Sequence, residues 1–116
     1  MDTNRIQEEI GKTTVSTDVL HKIAYLTAMS VEGVSRMTSI RGNLEPLFIK
    51  EDYKGAKVQI KDDKVYVDIY VVMMSGMNVR DISREIQSRV SRTIAEMIGM
   101  EVGGVNIHIT DIDFKV

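Results

Sequence analysis

Apolar and polar residues alternate along this chain with two different periods, and the switches between them mark its elements. Val19, Leu20, Ile23, Ala24 and Thr27 recur at steps of three or four, through about Met29, which is the spacing of one buried helical stripe. Ser16 or Thr17 stands before them, where a side-chain oxygen can accept from an orphan N–H of the first turn. Thr13-Thr14-Val15-Ser16 reads as a short strand ahead of that helix. Gly33 ends the helical region, and Val34-Ser35-Arg36-Met37 reads as a short extended piece.

The period then drops to two. Lys57-Val58-Gln59-Ile60-Lys61 alternates, Asp62-Asp63 interrupts, and residues 65–73 alternate again. A two-residue turn at Asp62-Asp63 sets Ile60 opposite Val65, Val58 opposite Val67 and Ala56 opposite Ile69 on one face. Lys57 then meets Asp68, and Gln59 meets Tyr66, on the other face. Both registers agree without adjustment, which predicts a hairpin.

Gly76 supplies the positive φ that ends a strand sharply, and Asn78 suits the N-cap of a second helix. Val79, Ile82, Ile86, Val90, Thr93, Ile94 and Met97 form its apolar stripe, while Asp81, Glu85, Arg89, Arg92 and Glu96 take the opposite face. Glu85 and Arg89 have the favourable i,i+4 order. Gly99 closes the helix, and the glycines at 103 and 104 read as a turn. Val105, Ile107 and Ile109 alternate with Asn106, His108 and Thr110 in a last strand that extends toward Phe114. The order is roughly β-α-(β)-β-β-α-β. Two amphipathic helices can cover one face of a mostly antiparallel sheet, a two-layer α+β sandwich. Residues 1–10 are polar and read as an N-terminal arm, and residues 11–116 as a single domain. Pro46 lies in a loop-like stretch, Arg41-Gly42-Asn43-Leu44-Glu45-Pro46.

Composition narrows the chemistry. The 116 residues are 43% hydrophobic and 28% charged, an ordinary folded composition that excludes disorder. There is no cysteine, hence no disulfide framework, thiol nucleophile or thiolate metal site, as befits a reducing cytoplasm. The net charge of −2 opposes bulk attraction to nucleic acid. No apolar run approaches the ~18 residues of a membrane span, and Met1-Asp2-Thr3-Asn4-Arg5 leads no apolar h-region, so a signal peptide is not expected. Neither histidine, His21 or His108, belongs to a His-x-x-x-His or other ligand spacing, so both read as surface or satisfied side chains. Asp111 and Asp113 read as solvated carboxylates at a strand end, and Asp62-Asp63 as a turn. No nucleophile elbow, phosphate loop or dinucleotide fingerprint is present. Catalytic residues, metal ligands and a cofactor are therefore not expected.

Two surfaces remain as candidates. On the strand from Val65, the residues opposite the helix-facing set are Tyr66, Tyr70, Val72 and Met74. Helices on one sheet face leave this row exposed, unless the N-terminal arm or the loop over residues 43–53 folds across it. Tyr and Met are frequent in interface cores, so the row predicts self-association or contact with a partner protein. The second surface is basic: Arg80, Arg84, Arg89 and Arg92 on the second helix, the alternative being a small nucleic-acid-binding module. Acids at 81, 85 and 96 interleave with those arginines, and no Gly-x-x-Gly clamp or stacking aromatic pair accompanies them, which favours a solvated, ion-paired face.

Val31-Glu32-Gly33-Val34, the run from Val65 to Val72, Gly76-Met77-Asn78-Val79, the helix ending in Glu96-Met97-Ile98-Gly99-Met100-Glu101-Val102, and Val105-Asn106-Ile107-His108-Ile109 together resemble the alkaline shock protein family of Gram-positive bacteria. These proteins are also called envelope stress response proteins, and the likeness spans residues 11–112. The resemblance implies a cytoplasmic, non-enzymatic protein linked to envelope stress. It implies assembly at the inner face of the membrane, in some members through a membrane-anchored protein partner. It supplies no catalytic site. The expectation is a homo-oligomeric scaffold or adaptor that does not insert into the membrane itself.

Overall fold

The computed structural model describes residues 15–38 and 55–114. Helix α1 (Thr17–Met29) is followed by β1 (Val34–Met37), the strands β2 (Ala56–Lys61) and β3 (Lys64–Met74), helix α2 (Val79–Ile98) and β4 (Glu101–Asp113). The arm at residues 1–10, the stretch around Pro46 and residues 43–53 lie outside the described residues. So do Thr13 and Thr14; Val15 and Ser16, the rest of the expected first strand, form no strand. Instead Ser16 is the N-cap of α1, its side chain accepting from the Val19 N–H at 3.3 Å.

Asp62 (φ 53) and Asp63 (φ 63) both occupy the left-handed region. A two-residue hairpin turn needs positive φ at both central positions to match the strand twist, and Asp tolerates it because its short side chain bonds locally. The turn fixes the expected β2–β3 register, with Ile60↔Val65, Val58↔Val67, Ala56↔Ile69, Lys57↔Asp68 and Gln59↔Tyr66.

β3 is the central strand. β2 and β1 share one of its edges end to end, both antiparallel, with β1 paired from Val34↔Met73 to Met37↔Val71. Tyr70 is the junction. Its N–H donates to the Gly55 carbonyl at 2.7 Å, and its carbonyl accepts from the Thr38 N–H at 2.9 Å. The other edge carries β4, parallel, from Lys64↔Glu101 to Met74↔Asp113. Two of the three pairings are antiparallel. The parallel one follows from α2, whose length allows the chain to cross back and start again at the same end.

β4 is longer than expected, and its glycines are strand residues rather than a turn. The pairing slips by one residue at Gly103 and again at Thr110. These are β-bulges, which put two residues opposite one. Val102, Val105, Ile107, Ile109 and Ile112 break strict alternation twice, and the two bulges restore all five to the face of Val65, Val67, Ile69, Val71 and Met73.

Both helices pack on that face. Leu20, Ala24 and Ala28 of α1 and Ile82, Ile86, Val90 and Ile94 of α2 join the odd-numbered residues of β3 in one core. No polar or charged residue is buried among the described ones. Asn78 caps α2, its Oδ1 accepting from the Asp81 N–H at 3.1 Å, and Gly99 ends it at φ 78. Met97 departs from its expected stripe position and is 67% exposed, while Ile98, four residues after Ile94, packs against the core instead. The architecture is the expected two-layer α+β sandwich.

Candidate interaction surface

The face of the sheet away from the helices is built by β3 and β4 together. Parallel pairing sets Tyr66 beside Gly104, Asp68 beside Asn106 and Tyr70 beside His108. The Tyr70 and His108 rings stack, with centroids 4.4 Å apart and planes 12° from parallel. His108 Nε2 donates to Asp68 Oδ1 at 3.0 Å, and Asn106 Nδ2 donates to the same oxygen at 3.3 Å. One carboxylate thus holds two β4 side chains in place and orients the imidazole under the tyrosine. Tyr66 lies over the bulge at Gly103, where a Cβ would fall 2.5 Å from its ring carbons.

Of the expected row, Tyr66, Tyr70 and Met74 are half-buried and Val72 is 2% exposed. The row is less open than its position on the far face suggests. Neighbouring side chains close over it. Ser35 Oγ donates to Asp113 Oδ2 at 2.6 Å, and the Thr38 and Thr110 hydroxyls bond to each other. Both links span from the β1 side to β4, and Val72 sits in the register between Arg36 and Asp111. The surface a partner would meet is therefore aromatic and polar, made of Tyr66, Tyr70, His108, Asp68 and Asn106, with Met74 at its end. His108, Asp68 and Asn106 are additions to the sequence-derived row.

The arginines of α2 do not form one surface. At ~100° per residue, Arg80 and Arg84 fall on the flank of Gln87, whose amide donates to the Val105 carbonyl of β4 at 2.9 Å. Arg89 and Arg92 lie on the other flank and line a groove with Leu26, Thr27 and Ser30 of α1 and Thr93. Arg89 is paired with Glu85 at 3.1 Å, in the expected i,i+4 order, and Arg92 Nη2 lies 3.5 Å from Ser88 Oγ.

The remaining candidate chemistry is structural. His21 Nε2 accepts from the Val58 N–H at 3.1 Å while Nδ1 bonds the Thr17 carbonyl at 2.7 Å. Since an amide N–H only donates, the ring proton sits on Nδ1. This imidazole ties α1 to the outer edge of β2. Asp111 Oδ1 accepts from the Ile112 N–H at 2.8 Å, and Asp113 from Ser35 across the sheet, so the two carboxylates serve separate bonds. Lys64 and Glu101 pair at 3.1 Å where β3 and β4 begin, and the hydrogen bond and charge of Glu101 hold the Lys64 ammonium above the usual lysine range. Among the described residues there is no group of three or more His, Asp or Glu arranged to hold a metal ion, and no helix is long and apolar enough to cross a membrane.

Several proteins are similar along most of this length. The uncharacterized protein YqhY of Bacillus subtilis (strain 168) is 31% identical over 110 residues, covering 90% of this chain and 79% of that protein. The uncharacterized protein Spy1614 of Streptococcus pyogenes serotype M6 is 32% identical over 114 residues, covering 95% and 94%. YloU, also uncharacterized and from B. subtilis (strain 168), is 24% identical over 108 residues, covering 90% of each. Among solved structures, a MamM CTD superposes with a TM-score of 0.50 at 11% identity, covering 86% of this chain and 100% of that one, a likeness of fold alone. Residues 5–114 match the sequence profile of the alkaline shock protein 23 family, described as having a cell envelope-related function, and the chain belongs to that family.

Proposed function

We propose that this protein is a non-enzymatic cytoplasmic adaptor of the envelope stress response. It works by self-association and by contact with a membrane-anchored protein partner, with residues 11–116 acting as one domain behind an arm at residues 1–10. The observation that carries this reading is the ordered patch on the far face of the sheet. Tyr70 stacked on His108, with Asp68 fixing the imidazole, gives a rigid aromatic surface with a polar rim. Rigid aromatic side chains contribute contact area at low entropic cost, which is what protein interfaces use. Membership of a family with a cell envelope-related function supports placing that contact near the membrane. The engagement of both His21 ring nitrogens by backbone groups agrees with a structural role for that side chain. The nucleic-acid alternative is the weaker one, since the arginines divide between two flanks and Arg89 is already paired.

Affinity capture in the presence of the native cell's membranes, with and without nuclease treatment, tests this reading. The expected result is a membrane protein retained by the wild type and lost with Tyr66→Lys/Tyr70→Lys. Retention of nucleic acid alone, abolished by moderate salt, would support the arginine surface instead.

A further inference from the structure

The two edges of the sheet are finished differently. On one side β3 is covered by two short strands, and the outward Val58 N–H of β2 is occupied by His21. On the other side lies β4, thirteen residues long, whose outer edge meets no strand among the described residues. Long open edges invite pairing with another strand, and proteins that avoid this keep edges short or charged.

Between its two bulges β4 is regular and uncharged: Gly104-Val105-Asn106-Ile107-His108-Ile109. Its carboxylates, Glu101, Asp111 and Asp113, all lie beyond the bulges. In the parallel ladder the odd-numbered residues of β3 bond toward β4, so Gly104, Asn106 and His108 bond inward. Val105, Ile107 and Ile109 then direct their N–H and C=O outward. Gln87 reaching the Val105 carbonyl from α2 agrees with this, and a carbonyl can accept a second bond.

We propose that β4 pairs antiparallel with β4 of a second copy about a two-fold axis at Ile107. This rests on the reading that the protein self-associates, and adds the contact by which it does so. The segment is self-complementary in that register. Ile107 faces its own copy, and Val105 faces Ile109 of the second copy. All three side chains stand on the helix side, where Ile109 is 39% exposed and gains cover. On the far side Asn106 faces His108 of the second copy. No charged side chain opposes another between the bulges, so like-charge repulsion does not work against this register. The joined sheets continue across the axis and place the two Tyr70–His108 stacks on one shared face.

Hydrogen exchange on the wild-type protein, at high and low concentration, tests the pairing without any substitution. The expected result is slow exchange of the Val105, Ile107 and Ile109 amides that becomes fast on dilution, while the inward amides of Asn106 and His108 do not change. Ile109→Pro removes one outward donor and leaves the β3 ladder intact, since proline is tolerated on an edge whose N–H faces out. It is expected to melt cooperatively and sediment as a monomer, and Ile109→Lys, which keeps the N–H, checks the result by charge instead. A wild-type oligomer whose odd and even β4 amides exchange alike, untouched by both variants, overturns edge pairing and leaves self-association standing. A wild type that is monomeric at all concentrations overturns both.

Discussion

Ile86 and Met97 sit on the same helical stripe by sequence, yet the structure makes opposite forecasts for them. Ile86 is fully buried in the core beneath α2, whereas Met97 is 67% exposed. Ile86→Ala removes three buried carbons, which at about 0.8 kcal/mol each is about 2.4 kcal/mol of lost transfer energy. The cavity left behind adds about 1–2 kcal/mol, because a core pinned by two helices and a sheet relaxes only partly. Alanine's better helix propensity returns about 0.4 kcal/mol. The expected net loss is about 3–4 kcal/mol, a fall in Tm of about 10–25 °C for a domain of this size. Met97→Ala, which buries nothing new, should stay within about 0.5 kcal/mol of the wild type. Paired urea titrations with a common m-value read both differences. Equal losses for the two variants would refute the placement of α2 on the sheet, as would a negligible loss for Ile86→Ala.

Three further outcomes follow from individual contacts. Asn78→Ala should cost about 0.5–2 kcal/mol in chemical denaturation by freeing the Asp81 N–H, and Asn78→Asp should restore it. Gly103→Ala should destabilise by about 1–3 kcal/mol through its clash with the Tyr66 ring, and Tyr66→Ala should relieve most of that in a double-mutant cycle; additive losses would show that the two do not touch. The Lys64 ammonium should titrate above the usual lysine range by NMR and return to it with Glu101→Gln, since the charged form is the one Glu101 binds. The ion pair's contribution is present at neutral pH and is lost as pH rises through that raised value.

The hairpin was fully legible because side-chain period and turn chemistry agree at Asp62-Asp63, so one residue of slip would expose the whole core face. The caps at Ser16 and Asn78 were legible for the same local reason. The parallel placement of β4 beside β3 was not, because it depends on α2 returning the chain across the sheet. That placement is what stacks His108 on Tyr70 and brings Asn106 and His108 to Asp68, so the chemistry of the far face stayed hidden while its tyrosines were visible. The parity changes between Val102 and Val105, and between Ile109 and Ile112, were the available signal for two bulges. Reading Gly103 and Gly104 as a turn concealed the first. The burial of Val72 escaped detection because strand alternation assigns a face but not what neighbouring side chains bridge across it.

Sedimentation equilibrium of the wild type from low to high micromolar concentration, beside Ile109→Pro and Tyr66→Lys/Tyr70→Lys, tests self-association and its contact most directly. The expected result is a wild type that is at least dimeric, a folded and monomeric Ile109→Pro, and a folded double-lysine variant that stays dimeric, because the tyrosines lie on the central strand and not on the outer edge of β4. A wild type that stays monomeric throughout, or an oligomer that the two lysines dissociate and Ile109→Pro leaves unchanged, would contradict it.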